Sequence, residues 1–91
     1  MNQRPEMPET PEARIKRMTM RSARRGTKEM DLVLGPFARA RLSQMSQQEL
    51  DLYDRLLEEN DHELYRWVTG QSEANAPYRK LIEDISAFIH Q

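Results

Sequence analysis

The chain has 91 residues and a formal net charge of −1; 37% of the residues are apolar, 32% are charged, and none is cysteine. Such a chain forms one small domain, and disulfides, thiolate zinc sites and a cysteine nucleophile are excluded. No apolar run is long enough to cross a bilayer, and the N-terminus lacks a hydrophobic signal, so we expect a cytoplasmic protein without membrane insertion.

The first quarter of the chain predicts a tail followed by a helix. Residues 1–9 include two prolines and show no periodicity, which is typical of a disordered tail. Thr10-Pro11 supplies an N-cap and a first helical residue, so a helix is predicted over about residues 11–24. Gly26 is expected to end this helix in the left-handed conformation that glycine adopts most readily. A single domain is therefore predicted over residues 10–91.

A second helix is predicted from a cap at Thr27 to about residue 44. Apolar residues recur at helical spacing along this stretch. The pair Gly35-Pro36 lies inside it. Because proline lacks an amide hydrogen and clashes with the preceding turn, we expect a kink or a brief break at this pair.

Three further helices are predicted in the second half. Ser46 and Glu49 have the spacing of a capping box, and Asn60 or Asp61 is expected to cap a short fourth helix. Gly70 ends that helix, and a proline at position 77 opens the last one after a polar loop. No segment alternates with period two, so strands are not expected. The sequence predicts an all-α fold, a small five-helix bundle.

Residues suited to catalysis do not form a recognisable site. The two histidines, His62 and His90, fall in different helices without the spacing of metal ligands. No serine lies in a Gly-x-Ser-x-Gly elbow, and three separate glycines do not make a phosphate loop. We therefore predict that the protein is not an enzyme and binds no metal.

The positive charges are concentrated in the first half of the chain. Residues 1–45 contain ten Lys and Arg against five Asp and Glu, whereas residues 46–91 contain four against ten. This distribution can attract an acidic partner, or the two halves can attract each other in the fold. Nucleic-acid binding by the cationic stripe is an alternative, which the acids after the stripe and the lack of interleaved aromatic residues disfavour. The stripe consists of Arg14, Arg17, Arg21 and Arg24.

The most distinctive stretch is Arg24-Arg25-Gly26-Thr27-Lys28-Glu29-Met30-Asp31. Gly26 lets another surface approach the backbone closely, because it has no side chain. Arg24 and Arg25 offer forked donors to a carboxylate or carbonyl, and Glu29 offers a carboxylate to a cation. The same features also occur at ordinary helix ends, where glycine caps a helix and acids occupy the first turn.

An Arg-Gly-x-x-Glu motif after an Arg-rich helix resembles the small flavinylation factors of succinate dehydrogenase, which occur in bacteria and in mitochondria. Two further stretches are similar to that family. One is Gly35-Pro36-Phe37, and the other is the Leu-Leu-Glu…Asp…Leu-x-x-Trp pattern over residues 56–67. The likeness therefore spans about residues 13–70.

The resemblance implies a five-helix bundle and a non-enzymatic assembly factor. Family members bind the flavoprotein subunit of succinate dehydrogenase, and in bacteria also that of fumarate reductase, and promote covalent attachment of FAD to a histidine of that subunit. The chain itself is expected to bind no cofactor stably and to be a monomer or a weak dimer. A second alternative is an antitoxin-type partner of a small membrane toxin. The partner-binding residues that the resemblance implies are Arg24, Arg25, Gly26 and Glu29, with Asp31 and Arg21 as flanking candidates.

Overall fold

The computed structural model describes residues 9–90, and over this range the chain forms five α-helices and no strand. The predicted all-α fold is thereby confirmed. The predicted tail falls outside the described residues except for its last residue, Glu9. The α-helices are α1 (Pro11–Ala23), α2 (Lys28–Arg41), α3 (Gln47–Leu56), α4 (Asp61–Val68) and α5 (Arg79–Ile89). A short 3-10 segment, Leu42–Gln44, follows α2, and another, Ala76–Tyr78, precedes α5.

The helices begin where side chains can cap them. Thr10 and Thr27 each accept a hydrogen bond from an amide in the first turn of the helix that follows. Ser46 and Glu49 form the complete capping box that their spacing predicts. Asn60, rather than Asp61, caps α4 by accepting from two amides. The carboxylate of Asp61 is therefore free for another contact.

Helix α2 continues through Gly35-Pro36, so the predicted brief break is not present. A residue with a Cβ before proline would disfavour helical geometry, and Gly35 avoids that clash. The hydrogen bond that Pro36 cannot make would go to the carbonyl of Leu32, a residue on the exposed side of the helix. Solvent can satisfy that carbonyl. On its other side, Gly35 faces α1: an added Cβ would be 3.5 Å from Cα of Ala23, an ordinary van der Waals contact.

The left-handed conformation predicted for Gly26 is not observed. Among the glycines of the described range, only Gly70 has a positive φ, 82°. Helix α1 ends at Ala23 with Arg24 as its C-cap, so the helix has already stopped before Gly26 is reached. Gly26 instead contacts Asp61 at the start of α4.

Helix α2 lies at the centre of the bundle and carries much of the apolar core. The ring of Phe37 lies 6.0 Å from that of Tyr53 and 5.6 Å from that of Phe88. Ser22 is the buried polar residue of the described core, and its hydroxyl is hydrogen-bonded to the hydroxyl of Tyr53 at 2.7 Å.

In the described range, no helix has the length and apolar composition that a membrane span needs.

The two halves of the chain attract each other across α1 and α3. Within the arginine stripe, each of the first three members pairs with an acid of the second half. Exposed ion pairs of this kind each contribute only about 0–1 kcal/mol to stability, but they neutralise three of the four arginines of the stripe. This surface is therefore not a free basic face for nucleic acid. The pairs are Arg14–Asp51, Arg17–Asp54 and Arg21–Glu58, with shortest N–O distances of 2.6, 2.8 and 3.0 Å.

Candidate functional site

The Arg-Gly-x-x-Glu segment forms the turn between α1 and α2 and the first turn of α2. Residues 24–27, which we call the motif turn, connect the two helices. Thr27 caps α2, and Glu29 and Asp31 lie in its first turn, where the helix dipole favours carboxylates. The six predicted residues are close together in the sequence, but their contacts in the structure differ. Some are bound to other parts of the chain, and others are exposed.

Arg25 has its donors occupied within the chain. Its Nε lies 2.7 Å from Oδ1 of Asp61 at the start of α4. Its two terminal nitrogens donate to the carbonyls of Leu57 and Glu59, at 2.9 and 3.1 Å, in the connection between α3 and α4. The side chain is only 8% exposed. The forked donors predicted to face a partner therefore face the fold.

The backbone of the motif turn is also held by carboxylates. The amide of Gly26 donates to Oδ2 of Asp61, and the amide of Arg25 donates to Oδ1 of Asp31. Asp61 thus accepts from two consecutive residues of the turn, and Asp31 ties the turn to α2. A turn held by three charge-assisted hydrogen bonds has little freedom to change shape.

Arg21 also has partners inside the chain. Its guanidinium pairs with Glu58 and donates to the carbonyl of Leu57 at 3.3 Å.

Arg24 and Glu29 differ from the other predicted residues. Both are exposed, and neither side chain makes a hydrogen bond or an ion pair with another residue in the described range. They are the two predicted residues whose charges remain available to a partner.

Glu29 borders a groove of about 380 Å³ between the start of α2 and helix α4. Tyr65, on α4, is 38% exposed at this groove, and aromatic and arginine side chains are the commonest anchors of protein interfaces. Arg66 pairs with Glu63 at 2.9 Å on the same helix. No group of three or more His, Cys, Asp or Glu residues in the described part could hold a metal ion. The groove is lined by Thr27, Glu29, Asp61, His62, Tyr65, Arg66 and Gln71.

Asp61 was singled out only as a candidate cap of α4 and as the aspartate of the family pattern over residues 56–67, and neither it nor the α4 side of this groove was predicted as part of the site. Asp61 and Gly26 are 35 residues apart, and their contact depends on how α4 packs. A local signal for Asp61 was also available. Because Asn60 is sufficient to cap α4, the carboxylate of Asp61 is not needed for capping. The partner-binding role of the six predicted residues stays a prediction.

Comparison with known proteins identifies the family. The sequence profile described as flavinator of succinate dehydrogenase matches residues 16–89. The protein named succinate dehydrogenase assembly factor 2, mitochondrial, of Lodderomyces elongisporus is 41% identical over 76 residues, which are 84% of this chain and 46% of the relative. The protein of the same name from Debaryomyces hansenii is 49% identical over 53 residues, or 58% of this chain and 37% of the relative. The chain belongs to the succinate dehydrogenase flavinator family.

The match confirms the predicted resemblance to the flavinator family. The profile continues to residue 89, so the likeness includes α5 and extends past residue 70, where sequence inspection ended it. The chain spans less than half the length of the two curated relatives. What those relatives assemble is therefore carried to this flavinator-family chain only as a proposal.

Proposed function

We propose that the chain is a non-enzymatic assembly factor for succinate dehydrogenase. It binds the flavoprotein subunit of that enzyme and promotes covalent attachment of FAD to a histidine of the subunit. The family match over residues 16–89 carries this proposal. The structure supports it through the motif turn, which is anchored inside the fold and leaves Arg24 and Glu29 exposed.

Two exposed charges account for binding, Arg24 at the start of the motif turn and Glu29 in the first turn of α2. Arg24 offers a guanidinium to a carboxylate or carbonyl of the flavoprotein subunit, and Glu29 offers a carboxylate to a cationic side chain. Because Asp61 and Asp31 already fix the turn, little conformational entropy is lost when the partner binds. The groove beside Glu29 gives the partner a concave surface next to the charged contact.

A factor of this kind promotes flavin attachment without supplying a reacting group. It binds the flavoprotein subunit most tightly when the target histidine and FAD are correctly placed, and so raises the population of that arrangement. FAD is the cofactor of the client in this proposal. The residues of the chain bind and orient the client.

The proposal extends to fumarate reductase, whose flavoprotein subunit is a second client. The chain acts as a monomer or a weak dimer. We propose the cytoplasm as its compartment, although the relatives named above are mitochondrial by name. The nucleic-acid alternative loses its main support because most of the arginine stripe is paired, and the family match does not favour an antitoxin.

Reconstitution with purified components tests the proposal. The flavoprotein subunit, purified without flavin, is mixed with FAD in the presence or absence of the chain, and covalent flavin is measured by fluorescence after denaturing electrophoresis. We expect the chain to increase the yield or rate of covalent flavin. A histidine-containing peptide replaces the subunit as the control. Flavin attachment to that peptide would show a catalytic activity and overturn the non-enzymatic proposal.

A further inference from the structure

Asp61, which lies outside the motif, connects the motif turn to α4. One carboxylate oxygen accepts from Nε of Arg25 at 2.7 Å, and the other accepts from the amide of Gly26. The side chains of Arg25 and Asp61 are only 8% and 10% exposed. Two charges so well covered are retained only where hydrogen bonds satisfy them, and here each has several.

Arg25 extends the same connection to the end of α3. Its terminal nitrogens donate to the carbonyls of Leu57 and Glu59, which follow the last turn of α3. A guanidinium is well placed there, since the C-terminal end of a helix carries partial negative charge. The Arg25–Asp61 pair therefore fixes the motif turn relative to both α3 and α4.

This arrangement also sets the position of Glu29. Glu29 is the second residue of α2, which begins directly after the motif turn, and it faces the groove whose other wall is α4. Asp61 is the first residue of α4, so the distance between Glu29 and Tyr65 depends on the contact between Asp61 and the turn. If that contact is lost, both walls of the groove remain but their relative position is no longer fixed.

We propose that Asp61 is a positioning residue for partner binding. Together with Arg25 and Gly26 it holds Glu29 in register with α4, whereas Glu29 makes the direct contact. Arg25 and Gly26 thus fix the geometry of the turn, and Glu29 and the adjoining groove contact the partner. This inference rests on the proposed function, because the flavoprotein subunit is the partner whose affinity reports it.

The test compares two ion pairs in the same protein. Asp61→Ala removes the contact to the motif turn, and Asp54→Ala removes a bidentate pair with Arg17 that joins α1 to α3 away from the turn. Arg21 keeps Glu58 as a partner in the control. We expect Asp61→Ala to weaken affinity for the purified flavoprotein subunit about tenfold, the effect of losing the charge-assisted hydrogen bond that Glu29 makes with the partner, and Asp54→Ala to leave it within about twofold. Equal affinity loss in both variants would overturn the proposal.

A double-mutant cycle with Glu29 separates positioning from general stability. If Asp61 acts through Glu29, then Glu29→Ala should cost much less affinity in the Asp61→Ala background than in the wild type. In the Asp54→Ala background the cost of Glu29→Ala should be unchanged. Additive effects of Asp61→Ala and Glu29→Ala would overturn the positioning role.

A conservative variant covers the case in which Asp61→Ala does not fold. Asp61→Asn keeps the volume and one acceptor oxygen, so it should retain the fold and show an intermediate affinity with the same non-additivity toward Glu29. Additive behaviour of this variant would equally overturn the inference. The outcomes also separate the two proposals. Failure of the wild-type chain to bind the flavoprotein subunit would refute the proposed function and the inference with it, whereas wild-type binding with an unaffected Asp61→Asn would refute the inference alone.

Discussion

Asp61 lies where a side chain on residue 26 would have to go. A Cβ atom added to Gly26 would be 2.9 Å from Oδ2 of Asp61, closer than real Cβ contacts. That oxygen accepts the amide of Gly26, and the other oxygen is held by Arg25, so the carboxylate cannot move without losing hydrogen bonds. Glycine is therefore required at position 26 by the approach of another helix, and not by a left-handed backbone.

Replacement of Gly26 by alanine is expected to lower the free energy of unfolding by about 1–2 kcal/mol, the cost of weakening one or two hydrogen bonds to a charged group. In an Asp61→Ala background the same replacement should cost much less, because the atom that the methyl group meets is absent. Urea unfolding of the two single variants and the double variant measures both costs. An equal cost in the two backgrounds would contradict the contact.

Gly70→Ala is the control for this prediction. Gly70 has a φ of 82° and no atom within 4 Å of an added Cβ, so its replacement strains the backbone without a clash. We expect its cost to be the same whether or not Asp61 is present.

Removal of the hydroxyl of Tyr53 is expected to cost less than removal of its partner. Ser22 donates to the carbonyl of Met18 at 2.8 Å, so the 2.7 Å bond between the two hydroxyls has Tyr53 as its donor. Tyr53→Phe loses one net hydrogen bond, worth about 1 kcal/mol, whereas Ser22→Ala strands a buried hydroxyl at about 1–3 kcal/mol. Burial also raises the pKa of Tyr53 to about 12.

Thermal or urea unfolding of both single variants and the double variant checks this order. The double variant should be less destabilised than the sum of the two single variants, because no buried hydroxyl is then left without a partner. Additivity would show that the two hydroxyls do not depend on each other.

Local signals in the sequence were sufficient to predict the helices. Each cap acts over two or three residues, so Thr10, Thr27 and the Ser46–Glu49 box could be identified without knowledge of packing. At Pro36 a kink or a brief break was predicted, and the break is absent because its cost depends on the preceding glycine and on the exposed side of α2. The presence and type of each helix were therefore predictable, and the behaviour of one helix interior was not.

The contacts within the candidate site could not be predicted from the sequence. The motif and its family likeness indicated this turn as the candidate, but a sequence shows neither that Arg25 faces inward nor that Asp61 reaches Gly26. Contacts between residues 35 positions apart depend on the packing of whole helices. The left-handed Gly26 was a reasonable local interpretation, and it was wrong because the helix ends three residues earlier, at Ala23.

Acid is expected to remove the stability that Asp54 contributes. The hydrogen-bonded guanidinium of Arg17 holds the pKa of Asp54 below its usual range, and Arg14 and Arg21 add to the effect. Since the folded pKa lies below the unfolded value of about 3.9, the contribution is fully present above about pH 5 and is lost as the pH falls through the folded pKa. Urea unfolding at a series of pH values should show a decrease below about pH 4 that is smaller in Asp54→Asn. Parallel profiles of the two proteins would contradict this assignment.

Glu29→Ala is expected to weaken flavin attachment while leaving the fold unchanged, because Glu29 is exposed and makes no side-chain contact in the described range. Glu83→Ala, which removes an exposed acid from α5, is the matched control and should have no effect on flavin attachment. Circular dichroism of both purified variants should match the wild type.

The most direct test of the proposed function uses cells that lack the gene for this chain. Their extracts are denatured, and the fluorescence of covalently bound flavin is measured on the flavoprotein subunit of succinate dehydrogenase. We expect the fluorescent band to be lost or weakened in these cells. It should be restored by the wild-type chain and by Glu83→Ala, and much less by Glu29→Ala. A band of undiminished intensity without the chain, or equal restoration by both variants, would contradict the account.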